Sequence, residues 1–476
     1  MSLRTSIAWT FSEQTLQQLL QLASAVIIAR LLTPEELGVF ALAYAAAAVL
    51  TALRTFGVGN YLIREHKLNR EKIRSAFAVM LVMSWSLGLL LFFGRHFIAD
   101  LYGRPSIADV MALLALSFAI APFGEPARAL LTREMRFRAL HNIGLTSAAV
   151  GTALSIALAY AGYSYMALAW GLLATSSLST LLVMLANPGY ALLRPSIAYC
   201  REITRFGGLL SLTSLIGTAN TEGVRFILGG FMGPASLAQF NRAAQVPNVF
   251  RQGIFQPIGR VLTPAWSADI RNGRSIGPAA EKLVALNTVL TWPVFLALSF
   301  VSVPFITLVF GENWRPAGEI FPWLLLSQGI MVALPQPEQV LVPHGRIGRV
   351  FRVRVLAAVF SVATATYGAS LGLEAFAISR CVAAAFFLAV TYFAIRSFID
   401  FGLRRFGVRY LRSAGVAILA AIPAAAFRFT EHDSMNLLEL LVVIAACGLL
   451  WLLGIAVTRH FVWGELMIVA RRAFGS

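Results

Sequence analysis

Apolar segments of about twenty residues, separated by short polar connectors, recur along the whole chain. A helix of about 20 predominantly apolar residues is long enough to cross the hydrocarbon core of a bilayer, so each segment is a candidate span. The pattern predicts an all-α polytopic membrane protein with about fourteen transmembrane helices. Their approximate limits are 9–32, 37–57, 75–94, 107–131, 141–161, 165–187, 206–230, 237–259, 283–309, 317–343, 355–372, 374–395, 410–427 and 437–458.

Basic residues are unevenly shared between alternate connectors. When the N-terminus, every second connector and the C-terminus are placed on one side of the membrane, that side holds 29 of the 39 Lys and Arg, and the opposite side holds five. Cytoplasmic connectors carry an excess of Lys and Arg, so both ends of the chain are predicted to be cytoplasmic. The net charge of +17 therefore indicates orientation and not nucleic-acid binding, which needs a basic stripe on one surface.

The chain contains a diverged duplication. Residues 32–40 match residues 232–240, and residues 97–103 match residues 305–311, at offsets of 200 and 208. Each copy covers six predicted spans in the same orientation, as in parallel repeats related by an axis along the membrane normal. The predicted domains are an N-terminal six-helix lobe, a second six-helix lobe, and two additional helices with a cytoplasmic tail, at 1–200, 201–400 and 401–476.

Composition agrees with a membrane protein and argues against several kinds of chemistry. Hydrophobic residues make up 58% of the chain and charged residues 13%, whereas soluble domains have roughly 45–50% and 25%. The three cysteines, Cys200, Cys381 and Cys447, lie far apart, with no disulfide or zinc-ligand spacing. No nucleophile elbow and no phosphate-binding glycine loop with Lys occurs. We expect no metal, no cofactor and no enzymatic activity.

The segment from 206 to 260 combines two predicted spans with many polar side chains. Asn220, Glu222 and Arg225 lie near the middle of the first span, and Arg242 and Arg251 lie in the second. A centrally placed Arg costs roughly 2.5–3.5 kcal/mol on insertion scales, so such side chains face protein or water. Because guanidinium binds phosphate oxygens bidentately, we predict a wet, cationic cavity for an anionic substrate. Arg251 is the strongest candidate, since it lies mid-span.

Three further side chains complete the predicted cavity. Gln17 and Gln21 belong to a row of four glutamines, with Gln14 and Gln18, at i, i+3, i+4 and i+7, which places them on one stripe of a helix. The stripe either forms a hydrated wall that binds a sugar or phosphate head group, or joins helices through hydrogen bonds. Arg380, within span 374–395, has no acidic neighbour in sequence and suits an anionic ligand as well.

Two acid–base pairs recur at i, i+3 spacing, Glu125 with Arg128 and Glu222 with Arg225. This spacing lets the side chains meet on one helical face. For Glu125 and Arg128, close to a predicted cytoplasmic end, mutual neutralisation is the favoured interpretation. For Glu222 and Arg225, neutralisation and rearrangement on substrate binding stay open.

Two carboxylates near predicted cytoplasmic ends are candidates for a coupling step. Glu13 and Glu338 either titrate during transport or are solvated at the membrane interface. Pro335 and Pro337, next to Glu338, predict a bend and a possible hinge.

Five segments carry a resemblance to a known family: ARLLTPEELGVFALA at 29–43, FGVGN at 56–60, LIRE at 62–65, FNRAA at 240–244 and PIGRVLTPA at 257–265. With them the chain resembles the Wzx-type repeat-unit flippases, in the polysaccharide transporter branch of the multidrug/oligosaccharidyl-lipid/polysaccharide (MOP) exporter superfamily. The resemblance implies a V-shaped bundle of two six-helix lobes, with spans one, two, seven and eight lining a central cavity. It also implies a substrate, undecaprenyl-diphosphate-linked oligosaccharide, that moves to the periplasmic leaflet of the bacterial inner membrane.

The resulting hypothesis is alternating access by rocking of the two lobes, driven by the membrane potential or by an H⁺ or Na⁺ gradient. The expected partners are the lipid-linked oligosaccharide, membrane lipids, the coupling ion and the polysaccharide polymerase machinery, with no nucleic acid. The alternatives are an exporter of small cationic drugs, a membrane enzyme such as a repeat-unit polymerase, and a scaffold that does not transport. The spanning arginines argue against cationic drugs, and a polymerase needs a large outward loop that the sequence lacks.

Overall fold

The computed structural model describes residues 20–54, 57–190, 193–399, 403–429, 434–458 and 462–464. Regular structure over these residues is helical, and no β-strand occurs among them. In chain order the helices are α1 Leu20–Leu31, α2 Pro34–Arg54, α3 Val58–Arg64, α4 Arg70–Phe93, α5 Arg95–Leu101, α6 Ser106–Ile120, α7 Glu125–Arg133, α8 Phe137–Tyr160, α9 Ser164–Ala186, α10 Cys200–Phe250, α11 Gln256–Arg271, α12 Gly277–Phe300, α13 Ser302–Phe310, α14 Arg315–Met331, α15 Pro337–Leu341, α16 Ile347–Leu371, α17 Leu373–Ile395, α18 Leu403–Arg428 and α19 Leu437–Val457.

Ten stretches of helix within the described residues are long and apolar enough to cross a bilayer. The most apolar is α19, with a mean hydropathy of 2.8. Large apolar side chains lie on the outside of such helices; Phe93 and Leu411 are each 74% exposed. Apolar surface of this extent fits contact with lipid and not with water. The prediction of an all-α polytopic membrane protein is therefore confirmed, while the total of fourteen spans stays a prediction.

Three predicted spans are each divided into two helices. The predicted span 107–131 consists of α6 and α7 with a 3₁₀ turn between them, because Pro122 and Gly124 interrupt the helix. The predicted spans 283–309 and 317–343 divide in the same way, into α12 with α13 and α14 with α15. As a result, α7 is a separate helix of nine residues and not the end of a long span.

The helices form two compact units, Met1–Ala238 and Gln239–Ser476, here called unit 1 and unit 2. Their helix order repeats: α4 and α12 both have 24 residues, and α9 and α17 both have 23. The turns before α9 and α17 repeat as well, since Gly162 and Gly372 both have positive φ. These features agree with the predicted parallel duplication. The predicted limits of the three domains stay a prediction.

Within unit 1, α8 and α9 pack with their backbones close together. A β-carbon on Gly151 would lie 2.5 Å from the Gly171 carbonyl oxygen, so only glycine allows this approach. Small residues at helix contacts are the usual device of membrane proteins, where no hydrophobic effect drives helices together. Elsewhere in the unit, α3, α4 and α7 pack around an apolar cluster that includes Leu62, Phe77 and Leu130. This cluster positions the start of α4 beside α7.

Within unit 2, the two helices outside the duplication join the repeat. Helix α18 packs along α12, and α19 packs along α18. Buried Val289, Val416 and Ile455 bring the three helices together, and the Trp451 indole donates a hydrogen bond to the Val289 carbonyl at 2.9 Å. The capping residue Asn436 starts α19, since its side chain accepts from the backbone N–H of Glu439.

Helix α10 has a break in its middle and is followed by a distorted turn. Gly233 has φ 80° and ψ 175°, which are not helical values. A π-helical turn follows at Arg251–Phe255, directly after the end of α10. Such turns are rare in proteins, and those that occur are often found at functional sites. The predicted seventh and eighth spans are therefore separated at Gly233.

Candidate functional site

The part of α10 before Gly233 is fastened to α2 and to the end of α5 within unit 1. The Tyr102 hydroxyl donates to the Phe226 carbonyl at 3.1 Å, and the two rings stack with their centroids 6.4 Å apart. A β-carbon on Gly229 would lie 2.4 Å from the Leu42 side chain. Burial raises the pKa of Tyr102 to about 12, so its hydroxyl is protonated and can donate at neutral pH.

Glu222 and Arg225 form an ion pair one turn apart on this segment. Arg225 Nη1 donates to both carboxylate oxygens of Glu222, at 2.8 and 3.0 Å. The Glu222 side chain is 8% exposed and the Arg225 side chain 27%. Tyr44 on α2 lies within electrostatic range of both charges. Nearby in sequence, the buried Oδ1 of Asn220 accepts no hydrogen bond from the residues that the structure describes.

Arg242, in unit 2, is held between aromatic rings. Its guanidinium lies 5.1 Å from the centroid of Trp314 and 5.5 Å from that of Phe310, and both aromatic side chains are buried. Its Nη1 also donates to Gln245 Oε1 at 3.0 Å. Cation–π contacts of this kind stabilise a desolvated arginine without an acidic partner. The predicted contact of Arg242 with substrate stays a prediction.

Arg251 begins the π-helical turn and is exposed. Its Nε and Nη2 donate to Asn248 Oδ1 at 3.3 and 3.2 Å. Among the predicted cavity residues, Arg251 combines positive charge with exposure at a π-helical turn.

Arg380 is engaged between α16 and α17 of unit 2. Its guanidinium donates to the Ser361 carbonyl at 2.9 Å, to Ser361 Oγ at 3.1 Å and to Thr364 Oγ1 at 3.3 Å. It also lies 5.1 Å from the centroid of the Phe376 ring on its own helix. These contacts show a helix-packing role, and the sequence signal for it is the pair of hydroxyl residues at i, i+3 on α16. A role in substrate binding stays a prediction.

The remaining predicted residues are divided between described and undescribed parts of the chain. Gln17 and Glu13 lie outside the described residues. Gln21 is exposed on α1. Glu338 is half-buried and forms an ion pair with Arg354, Nε to Oε1 at 2.6 Å.

A pocket inside unit 1, lined by both apolar and charged residues, is not predicted by the sequence. It has a volume of about 240 Å³ and is lined by Arg54 at the end of α2, Asn60 on α3, Ser84 on α4, and Glu125 and Arg128 on α7, among others. In the charge count along the sequence, Arg54 is one of the 29 Lys and Arg on the predicted cytoplasmic side. Two signals could have found the pocket: an arginine directly at the end of an apolar helix, and the helix break ahead of Glu125.

The expected neutralisation of Glu125 by Arg128 does not occur in this pocket. Among the residues that the structure describes, Glu125 forms no ion pair with either arginine, and Arg128 Nη2 instead donates to Ser179 Oγ at 2.6 Å. Arg54 lies over the Phe118 ring, 5.3 Å from its centroid. It also interacts electrostatically with the charges of Glu125 and Arg128. Two arginines and one glutamate therefore line the pocket, and no ion pair joins them among the residues that the structure describes.

No group of three or more His, Cys, Asp or Glu within the described ranges is arranged to bind a metal ion. The charged and amide side chains described above are features available for chemistry in this part of the chain. They can bind an anion and exchange hydrogen bonds with it, which is the chemistry of a binding site.

Comparisons with known proteins find sequence relatives in polysaccharide assembly. The profile of the family described as "Polysaccharide biosynthesis protein" matches residues 27–319. Lipopolysaccharide biosynthesis protein WzxC of Escherichia coli (strain K12) is 24% identical over 341 residues, which cover 71% of this chain and 69% of that protein. Succinoglycan biosynthesis transport protein ExoT of Rhizobium meliloti (strain 1021) is 23% identical over 375 residues, 76% of this chain and 74% of that protein.

Solved structures share the fold at lower sequence identity. Lipid II flippase MurJ, in an inward closed conformation, matches with a TM-score of 0.75 at 15% identity, over 96% of this chain and 99% of that chain. The inward-facing conformation of a multidrug resistance MATE family transporter of the MOP superfamily matches with a TM-score of 0.60 at 15% identity, over 87% and 96% of the two chains. The helices described above therefore have the architecture of these membrane transporters.

Proposed function

Because this chain belongs to the polysaccharide biosynthesis protein family, we propose that it flips undecaprenyl-diphosphate-linked oligosaccharide repeat units across the bacterial inner membrane. The relatives WzxC and ExoT are a lipopolysaccharide biosynthesis protein and a succinoglycan transport protein, and each aligns with more than two thirds of this chain. A lipid-linked sugar carries a diphosphate, whose charge must pass the apolar core of the bilayer. A transporter for it needs cationic groups placed within its spans.

The observation that carries the proposal is the placement of Arg251. This guanidinium is exposed at a π-helical turn, where its Nε and Nη2 donate to Asn248 Oδ1. We assign Arg251 and Arg225 to the diphosphate, since Arg225 keeps 27% of its side chain accessible beside Glu222. Gln17, Gln21, Asn220 and Arg242 complete the proposed pathway and hydrogen-bond the first sugars.

The proposed mechanism is alternating access, in which the binding residues open in turn to the two sides of the membrane. The lipid tail stays in the bilayer while the diphosphate and sugars move along the polar residues. The connector charges support a cytoplasmic position for both chain ends, and in the proposed mechanism the substrate enters from the cytoplasmic leaflet. An H⁺ or Na⁺ gradient, or the membrane potential, supplies the energy, and the released repeat unit passes to polymerase machinery.

The test is polymer production in cells that depend on this chain. Arg251→Ala and Arg225→Ala should each reduce polymer about 10-fold or more at matched protein levels, because each removes a charge-assisted hydrogen bond to phosphate. Arg274→Ala is the matched control, since Arg274 is 72% exposed and forms only a long ion pair with Asp269, at 3.5 Å. Full polymer production in both cavity variants would remove these residues from the pathway.

Drug export is the alternative within the same fold, since a multidrug transporter shares it with a TM-score of 0.60. A cationic drug would be repelled by Arg225 and Arg251, so their removal should improve drug export rather than abolish it. Overexpression followed by measurement of drug resistance separates the two functions. Resistance that rises in the Arg251→Ala variant while polymer is unchanged would favour export of drugs.

A further inference from the structure

The pocket of unit 1 has an unbalanced charge that the proposed transport pathway does not use. Arg54 and Arg128 line it together with one carboxylate, Glu125. Arg128 is fixed by Ser179 at 2.6 Å, and Arg54 is fixed by the face of Phe118. Within the described residues no acceptor occupies the N–H groups of Arg54. A guanidinium has five N–H donors, so Arg54 can donate hydrogen bonds to several oxygens of one ligand.

We propose that this pocket is a binding site for a phosphate group. Two guanidinium groups from different helices converge on it, and guanidinium matches phosphate oxygens bidentately. Asn60 adds an amide group at the wall, while the Ser84 hydroxyl donates to the Phe118 carbonyl at 2.6 Å. Arg54 supplies the unoccupied donors and Arg128 supplies the second charge. Glu125 opposes the ligand and limits its affinity, so binding is weak enough to be reversible.

The size of the pocket excludes larger ligands. Its volume of about 240 Å³ lies below the roughly 300–1,000 Å³ of pockets for drug-sized molecules. An oligosaccharide does not fit, whereas a phosphate or diphosphate does. A metal ion is disfavoured because two positive groups and a single carboxylate face the space. The ligand is therefore the phosphate part of a molecule whose remainder lies outside the pocket.

Two sources can supply this phosphate. The first is the headgroup of an anionic phospholipid, since the connector charges put the end of α2 and α7 near the cytoplasmic leaflet, where anionic lipids bind basic sites. The second is the diphosphate of the proposed substrate before it moves along the pathway. Both present the same oxygens to Arg54 and Arg128. The inference concerns binding alone and does not rest on the proposed transport function.

The experiment is a titration of the purified full chain with inorganic pyrophosphate, in which calorimetry measures the binding. We expect saturable binding that weakens about 10-fold or more in Arg54→Gln and in Arg128→Gln, because each loses a bidentate contact. Arg54→Lys should give an intermediate loss of pyrophosphate affinity, since lysine keeps the positive charge but lacks the bidentate N–H groups of the guanidinium. Glu125→Gln should tighten binding about 3-fold to 10-fold, because it removes the repelling charge. Misfolding cannot mimic this gain.

The matched control is Arg349→Gln, because Arg349 is also a cytoplasmic-side arginine placed over a phenylalanine, 5.2 Å from the Phe398 centroid, but in unit 2. Its pyrophosphate affinity should equal that of the unchanged chain. Equal affinity in Arg54→Gln and the unchanged chain, or no gain in Glu125→Gln, would overturn the proposal. Because no transport is measured, a failure here leaves the polymer assay of Arg251→Ala unaffected.

A second titration identifies the source of the phosphate. The chain is placed in nanodiscs of phosphatidylcholine alone or with added phosphatidylglycerol. A fall in pyrophosphate affinity with phosphatidylglycerol, lost in Arg54→Gln, supports the site and assigns it to a lipid headgroup. Equal affinity in both nanodiscs, still dependent on Arg54, supports the site and assigns it to the diphosphate.

Discussion

Glu222 with Arg225 on α10, and Glu125 with Arg128 on α7, have the same i, i+3 spacing and both belong to unit 1. The first two side chains form an ion pair at 2.8 Å with the carboxylate almost fully buried. The second two stay apart and face a pocket of about 240 Å³. Spacing along a helix therefore permits an ion pair, and the surroundings decide whether it forms.

The difference has two physical causes. Glu125 is the first residue of α7, where backbone N–H groups without helical partners attract a carboxylate. Arg128 finds a competing acceptor in Ser179 on α9. Glu222 lies inside a long helix whose N–H groups are already used, so Arg225 is its available partner. The arrangement at Glu125 leaves two arginines lining an open pocket, and the arrangement at Glu222 gives an ion pair whose arginine keeps 27% of its side chain exposed.

The largest expected effect breaks the buried pair. Glu222→Ala leaves the partly buried Arg225 without a counter-ion, and removing one partner of a fully buried pair costs about 3–5 kcal/mol. Since Arg225 is 27% exposed, we expect a loss of roughly 2–3 kcal/mol in the free energy of unfolding. Glu125→Ala should lose under about 1 kcal/mol. Unfolding of the purified chain in detergent measures both, and equal losses would remove the distinction between the pairs.

A double-mutant cycle sharpens the comparison to the pairwise energy. Glu222 and Arg225 should show a coupling energy of about 1–3 kcal/mol, because they share two hydrogen bonds. Glu125 and Arg128 should show less than about 0.5 kcal/mol, the usual limit for residues that do not touch. The cycles use Ala at each position and the same unfolding assay. A coupling above 1 kcal/mol at Glu125 and Arg128 would contradict the separation of these side chains.

A smaller effect concerns the acceptor that draws Arg128 away. Ser179→Ala removes its hydrogen bond and should cost about 1 kcal/mol of stability. With the acceptor gone, Arg128 is expected to turn toward Glu125, so their coupling energy should rise. Ser176→Ala, on the same helix, is the control and should leave the coupling unchanged. An unchanged coupling in Ser179→Ala would show that the helix start alone keeps Glu125 apart.

The smallest effect is expected at a third acid–base pair in unit 1, Glu65 with Lys72, at 2.7 Å. The hydrogen bond from Lys72 lowers the pKa of Glu65 below its ordinary value of 4.5. A carboxylate with a lowered pKa stabilises the fold at neutral pH, and the stabilisation is lost as pH falls through the folded pKa. Thermal unfolding from pH 7 to pH 3 should therefore show a stability gap between the unchanged chain and Glu65→Gln that closes below about pH 4.5. A constant gap would exclude this titration.

Helix positions follow closely from the sequence. The predicted spans 374–395 and 437–458 each differ by one residue, at one end only, from Leu373–Ile395 and Leu437–Val457. The bilayer sets the length of an apolar helix, and the chain ends it with polar or capping residues such as Asn436. The break inside the predicted span 107–131 also has a local cause in the sequence, Pro122 and Gly124. It is missed because a twenty-residue hydropathy window averages over a short turn.

The partners of the arginines do not follow from the sequence. Arg242 and Arg380 have no acidic neighbour along the chain, which suggests free charges for a ligand. In the fold, Trp314 lies over Arg242, and Ser361 on the preceding helix accepts from Arg380. These contacts join residues 72 and 19 positions apart, a distance at which helical periodicity gives no information.

The sequence by itself determined that this chain is an all-α membrane protein, where most of its helices lie, and that two halves repeat. Each of these properties depends on local composition, because apolar length and backbone hydrogen bonding act within one helix. Only the tertiary structure decided which charges are paired and which are left to a ligand. A charge interacts with whatever the fold brings within a few ångströms, so Arg225 forms an ion pair with Glu222 on its own helix, while Arg54 and Arg128 line an open pocket.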